Sequence, residues 1–244
     1  FYLILFFLGS VLMRSAGCIV NDILDKEFDK KVSRTKNRPI ASGKVSIKLG
    51  LTFIIFLCFI ALLILLNFNI FTITLALGSM PLAFSYPLMK RYTYWPQLFL
   101  GITFNYGLIL GWVCVTNQIE LLPITLYIGA IFWTLGFDTI YGYQDIKDDE
   151  IIGVKSTSIK FKRNPKLFLV ICYSIFIMTL LTVGIFMKFK YPFFIFLLAP
   201  TFHMLFSQIK NFRIEDPINC LKTFKSNNFL GFLILTNILI GKIF

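Results

Sequence analysis

Asn21, Asp22, Asp25 and Asp29 stand together in NDILDKEFD, and Asp138, Tyr141, Asp145 and Asp149 in DTIYGYQDIKDD. At about 100° per residue, Asp138, Asp145 and Asp149 fall within about 40° of one another on a helix, with Tyr141 at the border. Arg14, Asn21 and Asp25 share a face in the same way, flanked by Asp22 and Asp29. Like charges on one face cost roughly 0.2 to 0.5 kcal/mol per close pair, and more near hydrocarbon. Each array therefore calls for a cation. Hard divalent ions take oxygen ligands, and Mg²⁺ in particular is held by one or two carboxylates completed by substrate phosphates. A softer metal has no site, because His203 is the one histidine and the five cysteines lack CxxC spacing.

These arrays must be carried by membrane helices. The 244 residues are 57% hydrophobic, 17% aromatic and only 15% charged, with a mean hydropathy of +0.78. Such a chain cannot cover itself with polar surface in water, and the disordered, collagenous and disulfide-framework classes are excluded as well. Apolar runs near the ~20 residues needed to cross a bilayer lie at 1 to 20, 49 to 66, 70 to 88, 97 to 116, 119 to 137, 167 to 187, 191 to 209 and 227 to 243. Period-two alternation is absent, so the expected class is an all-α membrane protein with eight spans, not a β-barrel. Alternate crossing puts 20 of the 24 Lys and Arg, and eleven of the twelve acids, on one side. That side is cytoplasmic by the positive-inside rule. The rule explains most loop bases but not the acids.

A distance of 120 residues separates Asp25 from Asp145 and also Asp29 from Asp149. Runs one and five, and two and six, share that register approximately. The expectation is two pseudo-repeated four-helix halves around a central cavity, with the acid arrays facing each other and each holding a metal. Bases stand nearby: Lys36, Arg38 and Lys44 in KNRPIASGK, Lys90 and Arg91 beside Tyr86 in YPLMKRY, and Lys155 in GVKST. Metal-bridged carboxylates ringed by Lys and Arg suit a diphosphate. Arg14 lies inside the first span, where a guanidinium costs at least ~2.5 kcal/mol near the centre, and so is a functional candidate. A cation transporter could also pair acidic motifs across repeats, but it has no need of the Asn-Arg-Pro segment or the clustered bases. Nucleic-acid binding is excluded as a reading of the +12 charge, since the bases are divided among four short membrane loops.

RSAGCIVNDILDKEFDKKVSRTKNRPIASG and DTIYGYQDIKDDEIIGVKST resemble the two signature loops of the UbiA family of intramembrane aromatic prenyltransferases. YPLMKRYTYWPQLFLG resembles the branch acting on 4-hydroxybenzoate. The resemblance implies one transmembrane domain over 1–244. It also implies nine helices with the first motif after the second, so a further helix is expected ahead of Phe1. It implies transfer of a polyprenyl group from polyprenyl diphosphate to the carbon ortho to the phenol of 4-hydroxybenzoate, an early step toward ubiquinone. The expected setting is membrane lipid of a bacterial or mitochondrial inner membrane. Mg²⁺ ions are expected on Asn21, Asp22, Asp25 and Asp29 and on Asp145 and Asp149, with Arg38, Lys90, Arg91 and Tyr86 on the diphosphate.

By the same resemblance Arg14 pairs with the acceptor carboxylate. Asp138 takes the phenol proton, raises the ring's electron density, or adds a metal contact. The alternative within the family is another acceptor: a naphthoate, homogentisate, chlorophyllide or haem. Asp148 and Glu150 read as loop charges, His203 as a packed histidine, and Cys18, Cys58, Cys114 and Cys172 as small core hydrophobes.

Overall fold

The computed structural model describes residues 1–243, and every regular element among them is helical. Eight helices are long and apolar enough to cross a membrane: α1 (Tyr2–Leu24), α2 (Ile47–Leu65), α3 (Ile70–Tyr92), α4 (Pro96–Thr116), α5 (Leu121–Ile152), α6 (Pro165–Phe186), α7 (Tyr191–Lys210) and α8 (Pro217–Ile243). Their starts carry the expected chemistry. Ser46 and Asn69 accept hydrogen bonds from the backbone N–H of Leu49 and Thr72, and Asp216 accepts from Ile218 and Asn219. Pro96, Pro165 and Pro217 occupy first-turn positions, where no N–H is missed.

The apolar runs understate the polar ends. Helix α1 continues to Leu24, α5 runs on through Ile152, and α8 begins at Pro217 instead of near 227. Hydropathy senses only the part of a helix that lies in hydrocarbon, whereas the acid motifs ride on helix that projects past it. The spans also break where side chains or proline permit. Asn105 interrupts α4 and donates to the carbonyls of Gly101 and Ala130 and to Thr134 Oγ1, which ties the break to α5. Helix α7 ends in a π-helical turn over Met204–Lys210. There the buried Gln208 accepts from Tyr173 of α6 and donates to Asn227 of α8 at 2.9 Å.

Helix α1 packs on α2 and α5 on α6, equivalent pairs in the two halves. The main apolar cluster is lopsided, for its buried members, including Leu135, Phe176, Leu180 and Leu230, all come from the second half of the chain, while the first half buries scattered residues such as Ala16, Ile40 and Val113. At one end of the bundle the loops interlock. Ser33 N–H donates to Asp148 at 3.2 Å, Lys155 N–H to the Lys90 carbonyl at 2.8 Å, and Arg91 to the Leu24 carbonyl at 2.6 Å. That end carries both acid motifs.

Candidate active site

The two motifs are built alike. Helix α1 stops at Asp25, whose backbone sits at φ −95°, ψ 2°, before a one-turn helix over Lys26–Asp29. Helix α5 tightens to a 3₁₀ turn over Tyr143–Asp145, and Asp145 sits at φ −109°, ψ 9° before Ile146–Ile152. Both aspartates therefore occupy the sparsely allowed bridge region at a helix break, a conformation common at active sites. The break re-aims each carboxylate inward.

A cavity of about 370 Å³ lies between them, lined by Asn21, Asp22, Asp25 and Asp29 from one side and Asp138, Tyr141, Asp145 and Asp149 from the other. Lys90 pairs with Asp25 at 2.6 Å. Arg38 donates to Asp22 at 3.0 Å and to Asp29 at 3.1 Å. Arg14, Tyr86, Gln97, Leu100 and Asp138 line the same space. The motif carboxylates and their bases thus share the cavity with a smaller polar set, Arg14, Tyr86 and Gln97.

The residues fit a hard divalent cation. Asp25 Oδ1 is buried without a hydrogen-bond partner, and burial pushes the Asp25 carboxyl above its ordinary value against the pull of Lys90. The available donors are carboxylate and amide oxygens, the set that Mg²⁺ selects. Among the described residues no three acidic, histidine or cysteine side chains already form a closed cage. A metal held here would need ligands beyond the protein, and phosphate oxygens supply them.

The scaffold explains the KST segment. Thr157 N–H donates to Gln97 Oε1 at 3.0 Å, Thr157 and Thr139 hydroxyls bond at 2.6 Å, and Ser158 donates to the Thr139 carbonyl at 2.8 Å. Gly142 makes this approach possible, since a Cβ there would collide with Ser158 Oγ. The loop after α5 is thereby fastened to α4 and α5 beside Asp138, Asp145 and Asp149.

A model of the UbiA prenyltransferase family matches residues 1–234. The chain belongs to the UbiA family. Among its relatives, 4-hydroxybenzoate geranyltransferase 2 of Lithospermum erythrorhizon is 42% identical over 236 residues, covering 96% of this chain and 77% of that protein. The mitochondrial 4-hydroxybenzoate polyprenyltransferase of Homo sapiens is 40% identical over 244 residues, 100% of this chain and 66% of that protein. In structure, a UbiA homolog from Aeropyrum pernix K1 matches with a TM-score of 0.82 at 20% identity, over 98% of this chain and 89% of that one. A UbiA homolog from Archaeoglobus fulgidus bound to GPP and Mg²⁺ matches with a TM-score of 0.70 at 13% identity, over 98% and 87%. Those two likenesses carry the fold.

Not every residue singled out from the UbiA-like motifs reaches the cavity. Arg91 does not line it. Its guanidinium donates to the Leu24 carbonyl and lies 5.2 Å from the Phe28 ring centre, so it braces the end of α1. Lys36 and Lys44 are on the surface. Lys155 does line the cavity while donating to the Tyr92 carbonyl. Cys18 is an exposed thiol on the cavity wall, not a core residue, because it shares a helix face with Arg14 and Asn21. Asp148 accepts from Ser33, Glu150 pairs with Lys162 on the surface, and His203 rests against Phe229.

Arg34 is the residue that sequence reasoning missed. Its Nε lies 3.0 Å from both Asp145 oxygens, its Nη2 2.5 Å from Oδ2, and its Nη1 2.9 Å from the Tyr141 hydroxyl. No local pattern flags it, because residues 30–45 are turns and bends, to which helical spacing does not apply.

Proposed function

We propose that this chain transfers a polyprenyl group from polyprenyl diphosphate to C3 of 4-hydroxybenzoate, releasing pyrophosphate, in an inner membrane and on the way to ubiquinone. The observation that carries the reading is the opposition of the two acid motifs across one cavity that Arg14, Tyr86 and Asp138 also line. The names and roughly 40% identity of relatives along the whole chain support the choice of acceptor.

In this reading Asn21, Asp22, Asp25 and Asp29 on one side and Asp145 and Asp149 on the other hold Mg²⁺, which when bound withdraws negative charge from the leaving diphosphate. Arg38 and Lys90 add donors to the diphosphate oxygens. Arg91 acts one step back, by holding the α1 terminus. The C1–O bond breaks with its electron pair going to pyrophosphate, and the ring carbon ortho to the phenol supplies the pair for the new bond to C1. Arg14 holds the acceptor carboxylate with its planar fork. Asp138 accepts the phenol hydrogen bond, which enriches the ring, and takes up the proton set free. The apolar wall keeps water from the allylic carbon.

The test uses purified protein in lipid nanodiscs with Mg²⁺, geranyl diphosphate and 4-hydroxybenzoate. Pyrophosphate release matched by a 3-prenylated acid is expected. Turnover only with a naphthoate would reassign the acceptor, and no metal-dependent release with any aromatic acid would end the reading.

A further inference from the structure

Among the described residues the one base in direct ion pairing with the second acid motif's Asp145 is Arg34, from the first motif's loop, while Lys90 acts on Asp149 from a distance. Asp145 is gripped by Arg34 through both oxygens, and Asp149 accepts no side-chain hydrogen bond among the described residues. The first motif, by contrast, is served by Lys90 and Arg38. Arg34 is held in place from both sides. Val32 and Thr35 are buried and line the cavity, Thr35 Oγ1 donates to the Asp29 carbonyl at 3.2 Å, and Ser33 N–H donates to Asp148. The guanidinium also lies 5.2 Å from the Tyr141 ring centre.

A guanidinium bonded to both oxygens of a carboxylate takes up lone pairs that a divalent ion would use and repels that ion, so the two compete for Asp145. We propose that Arg34 is a displaceable counter-ion for Asp145: it ties the 30–46 loop to α5 and gives way to a divalent ion that binds there. Loading of the second motif thereby frees the Arg34 guanidinium, while Val32, Thr35 and the Ser33–Asp148 bond keep the rest of the loop seated. The inference rests on the metal-diphosphate reading of the cavity, and it makes Arg34 a positioning residue.

The test is Mn²⁺ binding to substrate-free protein in nanodiscs, followed by electron spin resonance of the free ion. Arg34→Gln should bind Mn²⁺ roughly tenfold more tightly than wild type, the factor equivalent to one charged hydrogen-bonding partner lost by the competitor. Arg34→Lys should fall between, and Tyr141→Phe, which loosens the latch while leaving the arginine, should shift in the same direction by about twofold. Asp145→Asn should weaken binding, and adding Arg34→Gln to it should restore none of the loss.

Unchanged or weaker affinity in both Arg34→Gln and Tyr141→Phe overturns the proposal, as does an equal gain from Arg34→Gln with and without Asp145. Prenyl transfer by the wild-type preparation is measured in parallel. Absent turnover would strike the proposed function, whereas the binding curves alone decide the latch.

Discussion

The two halves of the molecule carry the same motif geometry on different support. Asp25 and Asp145 share a bridge-region backbone at a helix break, yet the helices behind them differ. Only 6% of the most apolar stretch of α1, and of α2, is buried within the protein, against 39% for α5 and 50% for α6. Helix α6 is packed by Phe176 and Leu180, whereas α2 presents Phe53, Ile55, Phe56 and Phe59 outward. In a bilayer such faces meet lipid at no hydrophobic cost, so α1 and α2 gain little from burial, and the first half is seated on the second by α4 packing on α5 and by the Arg34–Asp145 pair. The second half is a scaffold, and the first is an arm laid against it.

That contrast can be broken most severely at the motifs themselves. Asp25→Ala and Asp145→Ala are each expected to lower turnover by about 10²- to 10³-fold or more, the scale of losing a transition-state charge stabiliser. Both proteins should elute as wild type on size exclusion, and wild-type rates in either would refute the metal roles. Next in size is a packing test. Phe176→Ala should destabilise by about 3 to 5 kcal/mol, while Ile55→Ala on the lipid face should stay within about 0.5 kcal/mol, both read by thermal unfolding in one detergent. Equal losses would abolish the distinction between scaffold and arm.

A smaller effect is expected at the fastening of the second motif. Gly142→Ala pushes on Ser158 and should cost about 1 to 3 kcal/mol, seen as a lowered Tm together with reduced turnover. Arg14→Lys sharpens the comparison within the arm. Charge is kept but the planar fork is lost, so KM for 4-hydroxybenzoate should rise about tenfold with KM for geranyl diphosphate unchanged. A rise in both would assign Arg14 to charge balance of the first motif.

Much of this was legible in the residues. The eight spans follow from hydropathy, and the facing acids follow from helical spacing and the 120-residue offset. Three features were not. The breaks at Asp25 and Asp145 escaped because the spacing argument treats each acid motif as one unbroken helix. Arg91 escaped because its partner is a backbone carbonyl, that of Leu24, which no side-chain pattern announces. Arg34 escaped because its partner Asp145 is 111 residues away, and only the tertiary arrangement of a short loop brings such a pair together.

The π-helical turn at Met204–Lys210 bears on evolution and on engineering. Such a turn accommodates one residue more than an α-helix of the same rise, and each inserted residue rotates the remainder of the helix by about 100°. Deleting a single residue there would let α7 rewind as regular helix, swinging Gln208 off Tyr173 and Asn227. Those buried hydrogen bonds hold the wider turn open, so a one-residue deletion there is expected to cost stability.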